Sequence, residues 1–511
     1  MKTQNQRNLL AASLIGALAF TTTVVQAEPS RFDELANATF KENYPTKETA
    51  QTLRDELLFQ RATQTYLWAL PLINTLGMKD GSEKVFGKGY NVLPVFKNRL
   101  DAKTLITTPN SDVIYALSYV DLGKDGPLVF EAPPGLQGIL LDFWQRPIPV
   151  DGGKFFGDVG LPGPDAGKGG KFLLLPPGYR GDVPEGYYVY RSGTFNVFIF
   201  LRAFYMDPNN LTPAATLMEQ ARIYPLNGKE TAKSMQFPNA SGVPVNMLPV
   251  SDGSVFDQLK QLVDSEGANL ADLDWLGMLA SIGIIKGQPF NPDAHNRAIL
   301  DRAAKTAYKM SRVVGFEEAF HGNSLRMYAD RRWVNPLDNV TPLGPNTTLD
   351  LSWKNVAGGY LGLDQRIWFF TNYYSVSPGM LSKIPGKGAA YMIAFTDSEG
   401  MPLSGGSNYR LHLSANIPAA IFWSVTLYEA ENASGLANGK PFPSLGSRDK
   451  PVQNADGSTD LYYGPKAPKG KESNWQATVP GKGYFAILRL YGPTEAAMDK
   501  SWKPGDFEKV K

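Results

Sequence analysis

Two apolar runs set close together, Tyr409–Leu413 and Ala419–Tyr428, constrain the fold of this chain more than any other feature. In YRLHL, Tyr409, Leu411 and Leu413 alternate with Arg410 and His412. A period of two predicts a strand with one dry face and one wet face. The second run, AIFWSVTLY, carries β-branched and aromatic residues at both parities. It predicts a strand covered on both faces. Asn416 and Pro418 separate the two runs. A strand covered on both faces requires a sheet around it.

The chain has 511 residues, enough for two or three domains with real cores. Its 43% hydrophobic content fits a globular protein, and its 50 Gly and 38 Pro suit many short strands joined by turns. The net charge of +2 is spread along the chain, which argues against nucleic acid as a partner.

Lys2 and Arg7 precede an apolar run from Leu9 to Val25, and Val25-Gln26-Ala27 fits a small-x-small cleavage site. This predicts a signal peptide cut after Ala27 and a periplasmic or secreted protein. An uncleaved anchor is the alternative, but the run is short and contains Thr21, Thr22 and Thr23. No later stretch reaches ~18 apolar residues, so no membrane span is expected in the mature chain. With no cysteine, a disulfide, a thiolate nucleophile and a lipidated N-terminus are all excluded.

Along the chain the texture alternates. Arg31 to Met78 has helical spacing, with Pro71 expected to disturb its end. Between Asn91 and Phe204, strand-like runs such as GILLDFWQRPI and FNVFIFLRAF follow one another with Pro and Gly between them. Pro208 to Phe316 returns to helical period, with a stripe of Phe256, Leu259, Leu262 and Val263. From Thr348 strands resume. The expected fold is mainly β with a helical insert (α+β). It comprises two antiparallel β-sandwich or jelly-roll-like domains with helices between and at the N-terminus. The boundaries are 1–27 signal peptide, 28–205 helix plus β domain, 206–345 helical segment and 346–511 β domain.

Several motifs carry a family likeness. TYLWALP (Thr65–Pro71), TPNSDVIYALSYVDL with Asn110, Asp112 and Tyr115, and FLLLPPGYRGDVPEG resemble the domain-of-unknown-function family 1254. DSEGMPLSGGSNYRLHL, FWSVTLYE, the turn from Asn454 to Ser458, Asn474-Trp475 and LRLYGP resemble the companion family 1214. The resemblance implies two β domains like the double jelly-roll of large viral capsid proteins, assembled as a homo-oligomer. It implies no established reaction.

Candidate chemistry falls into several groups. Asn110, Asp112 and Tyr115 with Asp142, Trp144 and Arg146 combine the edge donors and stacking plane that a glycan or other polyhydroxylated ligand needs. Asp112 and Asp142 could form an acid/base pair at roughly 5–9 Å separation. The plain alternative has Asp112 capping a turn and Asp142 pairing with Arg146. Trp423, Trp475, Arg489 and Tyr491 form a second candidate ligand floor, or else belong to the core. Glu318-x-x-His321 places two metal-ligating types on one helix face, but a di-iron bundle needs the motif from two helices and only one copy is present. No Gly-x-Ser-x-Gly elbow occurs, and Gly163–Gly169 is one residue short of a P-loop, so no cofactor and no metal is assigned. Two expectations follow. One is a ligand-binding or self-assembling exported protein with a small-molecule or glycan ligand. The alternative is a periplasmic hydrolase acting on a polyhydroxylated or ester substrate.

Overall fold

The computed structural model describes residues 30–152, 157–161, 163–267, 272–320, 326–335, 354–355, 360–374 and 385–510. The expected signal segment, His321 and the side chain of Glu318 lie outside the described residues. Among the described residues, no helix is long and apolar enough to cross a membrane. The chain divides into two compact units, Met1–Glu56 and Leu57–Lys511.

In the first unit, α1 (Arg31–Ala36) opens with a capping box, Ser30 and Asp33 satisfying each other's backbone amides. A hairpin pairs Phe40–Lys41 with Tyr44–Pro45. Its turn residues Glu42 and Asn43 both take positive φ, as a primed two-residue turn requires. Helix α2 (Lys47–Trp68) then begins and runs on past the unit boundary.

In the second unit, α3 (Leu70–Phe86) follows α2 directly. Pro71 lies in the first turn of α3, where its missing N–H has no intrahelical partner to lose. It therefore starts α3, and the break that ends α2 falls at Ala69, two residues before it. Strands β1 (Ile114–Asp121), β2 (Leu128–Ala132), β3 (Gln137–Asp142), β4 (Asp158–Val159), β5 (Gly170–Leu175), β6 (Tyr188–Arg191), β7 (Asn196–Ala203) and β8 (Arg222–Pro225) come next. They form two four-stranded sheets, ordered β1-β7-β3-β4 and β8-β2-β5-β6. After the helices α4 (Val255–Ser265), α5 (Leu273–Ser281), α6 (Ala294–Phe320) and α7 (Leu363–Asn372), a second β block begins. It comprises β9 (Ala389–Ala394), β10 (Asn408–Leu413), β11 (Ala419–Glu429), β12 (Ser444–Gly446), β13 (Thr459–Gly464), β14 (Trp475–Ala477), β15 (Tyr484–Pro493) and β16 (Phe507–Val510). Its two sheets are ordered β9-β15-β11-β12 and β14-β13-β10-β16. Pairing is antiparallel except β5 with β6 and β13 with β14, which are parallel.

Helix and strand contribute nearly equal shares, so the fold is mixed α/β with several antiparallel sheets, not mainly β. The long helices α2, α3 and α6 account for the difference.

The period of two sorts the core. On β1, Ile114, Ala116 and Val120 enter a cluster shared with Phe130 and Phe172 of the neighbouring sheet. The other parity, Tyr115, Leu117 and Tyr119, enters a second cluster. On β15, Ala486, Leu488 and Leu490 face a cluster shared with Leu411 and Leu461. Phe485, Ile487 and Tyr491 face the opposite way, into the same cluster as Tyr115. Thus β1 and β15 both turn their second face toward one apolar region, which also takes residues from α3 and α7. The two opening runs behave accordingly: Tyr409, Leu411 and Leu413 are buried with Arg410 and His412 half-buried between them, and β11 is buried continuously from Phe422. Each fully buried Leu or Phe on these faces contributes about 1.5–3 kcal/mol.

Candidate functional site

Two separate constellations emerge. The first is a buried polar junction between the β blocks. Asn110 closes a turn before β1: its Oδ1 accepts from the Asp112 amide at 2.7 Å, and its Nδ2 donates to the Tyr491 hydroxyl. Asp112 is 3% exposed. Its Oδ1 accepts from Arg99 Nη2 at 2.9 Å and its Oδ2 from Ser444 Oγ at 2.9 Å. Its carbonyl accepts from Arg448 Nη1 at 2.9 Å. Arg99 also pairs with Asp449 and lies over the Phe442 ring. Arg489, on β15, donates from Nη1 to Thr426 Oγ1 at 3.2 Å and to the Tyr428 hydroxyl at 2.6 Å. Its Nη2 donates to the Thr108 carbonyl at 3.3 Å. Thr108 holds φ at +43°, an unusual backbone for a β-branched residue, and this orients the carbonyl that Arg489 reaches. Asn110, Asp112 and Tyr115 from one expected set therefore meet Arg489 and Tyr491 from the other.

The second constellation is an apolar cavity of about 200 Å3. Trp68 and Trp144 form part of its wall, with Leu262, Leu276, Leu279 and Ile284. Trp68 stacks on Trp275 with centroids 5.1 Å apart and planes 9° apart, and its ring centroid lies 4.5 Å from that of Trp144. The hydrophobic stripe of α4 supplies Leu259, Leu262 and Val263 to the lining. Three charged residues, Glu266, Asp272 and Lys286, also line the cavity. Arg146 lies over Trp144 and pairs with Asp272 at 3.0 Å. Glu266 accepts from the Phe195 and Asn196 amides and from Asn196 Nδ2. Behind the wall, buried Arg366 donates to the Trp68 carbonyl; burial pushes its guanidinium down to about 9, still protonated at neutral pH.

Asp142 ends β3 and caps the turn that carries Trp144. Its Oδ1 accepts from the Trp144 amide at 2.8 Å and the Arg146 amide at 2.9 Å. Gln145 completes this turn at φ +60° and anchors it by donating to the Pro71 carbonyl. Burial pushes the Asp142 carboxyl up to about 6, against the pull of Arg146 and the two turn amides.

Asp112 and Asp142 thus serve different networks, and neither lines the cavity. Arg146 bonds to the cavity-lining Asp272, and Trp144 is itself in the wall. Trp423 does not join Arg489: strand parity sends its ring to the opposite face of the sheet, with Val425 and Leu427. Trp475 sits apart, its Nε1 donating to the Gly464 carbonyl and Lys440 over its ring. The sequence signals did not single out Trp68, Trp275 or Asp272 as site residues; the alternation of wide aromatics with small residues around Trp68 carries no signal for a cavity.

Comparison with known families decides the assignment. Residues 90–225 match the model of DUF1254 and residues 388–495 that of DUF1214, each described as a protein of unknown function. This chain carries both signatures, in that order. The DUF1254 region holds Asp112, Tyr115, Asp142 and Arg202, and the DUF1214 region holds Tyr428, Arg489 and Tyr491, so the polar junction is where the two matched regions meet. A solved protein from Vibrio parahaemolyticus superposes with a TM-score of 0.51 at 19% identity, covering 89% of this chain and 100% of its own. That likeness speaks for the fold. A putative uncharacterized protein from Burkholderia cenocepacia gives 0.37 at 12% identity, with 91% and 97% covered. No curated protein matches the sequence.

Proposed function

We propose that this DUF1254–DUF1214 chain is an exported binding protein whose ligand is a small, largely apolar molecule held in the tryptophan-walled cavity. The observation that carries the reading is the cavity itself. An apolar cavity of roughly 150 Å3 is enough to hold benzene, and this one is about 200 Å3. Its wall of Trp68, Trp144 and leucines offers stacking and dispersion but few edge donors, which suits an aromatic hydrocarbon better than a glycan. Export rests on the basic, apolar and small-residue pattern of residues 1–27. The pairing of two four-stranded sheets in each β block supports a double jelly-roll-like architecture. Self-assembly into a homo-oligomer is part of the proposal and rests on the family likeness alone. Hydrolysis is the weaker reading, because both oxygens of Asp112 and Oδ1 of Asp142 already serve structural bonds.

A thermal-shift panel on the mature protein tests this. We expect p-xylene to raise the melting temperature in a saturable manner, cellobiose to leave it unchanged, and nitrophenyl esters and glycosides to survive incubation. Stabilisation by cellobiose without p-xylene, or turnover of any nitrophenyl substrate, would reverse the reading.

A further inference from the structure

Two buried guanidiniums face the same interior region without a carboxylate partner among the described residues. Arg489 projects from β15 with Ile487 and Tyr491, and Arg202 projects from β7 with Phe198 and Phe200; both faces turn into one shared cluster. Arg489 is 2% exposed and Arg202 7% exposed. Each is flanked by a tyrosine across its strand pair, Arg489 by Tyr391 and Arg202 by Tyr115. Tyr115 lies within electrostatic reach of both.

The partners of Arg489 are neutral: one hydroxyl, one phenol and one carbonyl. Its Nε–H and one Nη2–H have no hydrogen-bond partner among the described residues. Arg202 Nε has none either. The Tyr373 hydroxyl, 3% exposed and within electrostatic reach of Arg489, also ends without a partner. The nearest carboxylate of the junction is not free to help. Asp112 gives one oxygen to Arg99 and the other to Ser444, and Asp449 is paired with the same Arg99. Arg448 adds a further cation, over the Phe422 ring. The junction therefore holds Arg99, Arg202, Arg448 and Arg489 against Asp112 and Asp449. A guanidinium does not deprotonate, and a buried one without a counter-charge is strongly unfavourable.

We infer that the junction between the β blocks is a second binding site, separate from the tryptophan cavity, for a small aromatic carboxylate. The free edge of the Arg489 fork matches a planar carboxylate in two-point fashion. Arg202 supplies the second positive charge and Tyr373 a further donor. The rings of Tyr115, Tyr391 and Tyr428 supply apolar walls for an aromatic body. None of these residues lines the tryptophan cavity, so this site stands or falls independently of it.

Benzoate, with its uncharged isostere benzamide as control, is the probe, and calorimetric titration of the full mature chain is the measurement. We expect saturable binding of benzoate, at least tenfold weaker binding of benzamide, and at least tenfold weaker benzoate binding in Arg489→Met and Arg202→Gln. Trp144→Ala is expected to leave benzoate affinity unchanged. No saturable benzoate binding to the wild-type protein overturns the inference, as does equal affinity for benzamide. Benzoate binding that survives Arg489→Met and Arg202→Gln but is lost in Trp144→Ala also overturns it, by placing the acid in the tryptophan cavity. Should Arg489→Met fail to fold, Arg202→Gln carries the comparison, and an unchanged affinity there overturns the inference.

Discussion

The Tyr428 hydroxyl donates to the main-chain carbonyl of Pro109 at 2.6 Å, although the two residues are 319 positions apart in the chain. The same oxygen accepts from Arg489 Nη1 at 2.6 Å. One phenol therefore ties the loop before β1 to the face of β15, and its burial leaves no water to replace either bond. This is one of the points at which the DUF1254 and DUF1214 regions are held in register.

Tyr428→Phe removes that donor and acceptor while keeping the ring. It leaves the Pro109 carbonyl and an Arg489 N–H buried and unsatisfied, at a cost of about 1–3 kcal/mol each. The expected result is an unfolding free energy lowered by a total of about 2–6 kcal/mol, read as a lower urea midpoint with an unchanged slope. A loss below about 0.5 kcal/mol would mean the bond does not hold the blocks together.

Asp112→Ala strips Arg99 of its better-buried partner and Ser444 of its acceptor. Both side chains of the pair are nearly buried, at 10% and 5% exposed, so solvent screening gives little relief. Breaking such a pair from one side costs about 3–5 kcal/mol. Adding Arg99→Met to Asp112→Ala is expected to recover part of the loss, because it removes a nearly buried cation left with only the more exposed Asp449 at 3.3 Å. If the double variant is no more stable than Asp112→Ala, the pair is not the source of the effect.

Asp142 gives a pH signature. Its carboxyl titrates near 6 in the folded chain and near ~3.9 when unfolded. The folded state therefore holds the proton more tightly. The stability from this group is complete below about pH 4 and is lost as pH rises through 6. Asp142→Asn keeps the Oδ1 acceptor that both turn amides use and removes the titration. The stability of Asp142→Asn relative to wild type should rise by about 1–3 kcal/mol between pH 4 and pH 7.5. Urea unfolding at a series of pH values reads this, and a flat or falling difference would refute the buried-carboxyl account.

Much of the strand architecture was legible in the sequence because parity is a local property. Tyr409, Leu411 and Leu413 announce their face with no information from elsewhere, and the two-sided run of β11 announces its burial. The same parity separates Trp423 from Tyr428 and Arg489, and it could have been applied to the candidate set at the outset. Pro71 shows the limit of local signals: a proline disturbs the helix before it or starts the helix after it, and packing around Trp68 and Ala69 decides which. The meeting of Asn110 with Tyr491 across 381 positions has no local signature at all. Neither has the Trp68–Trp275 stack, which depends on how α5 is laid against α2. The share of helix was underestimated for a related reason. The stretch from Thr348 reads as strand, yet α7 forms there and packs with α3 into the region that the β1 and β15 faces share.

The binding reading is tested most directly by calorimetric titration of the mature protein with p-xylene at two temperatures, in parallel with Ala280→Trp, which places a bulky ring in the cavity lining. The account predicts one saturable site in the wild type, a negative heat-capacity change from apolar burial, and loss of binding in Ala280→Trp with the fold intact. Absence of saturable heat in the wild type, or equal binding by the filled variant, would contradict it.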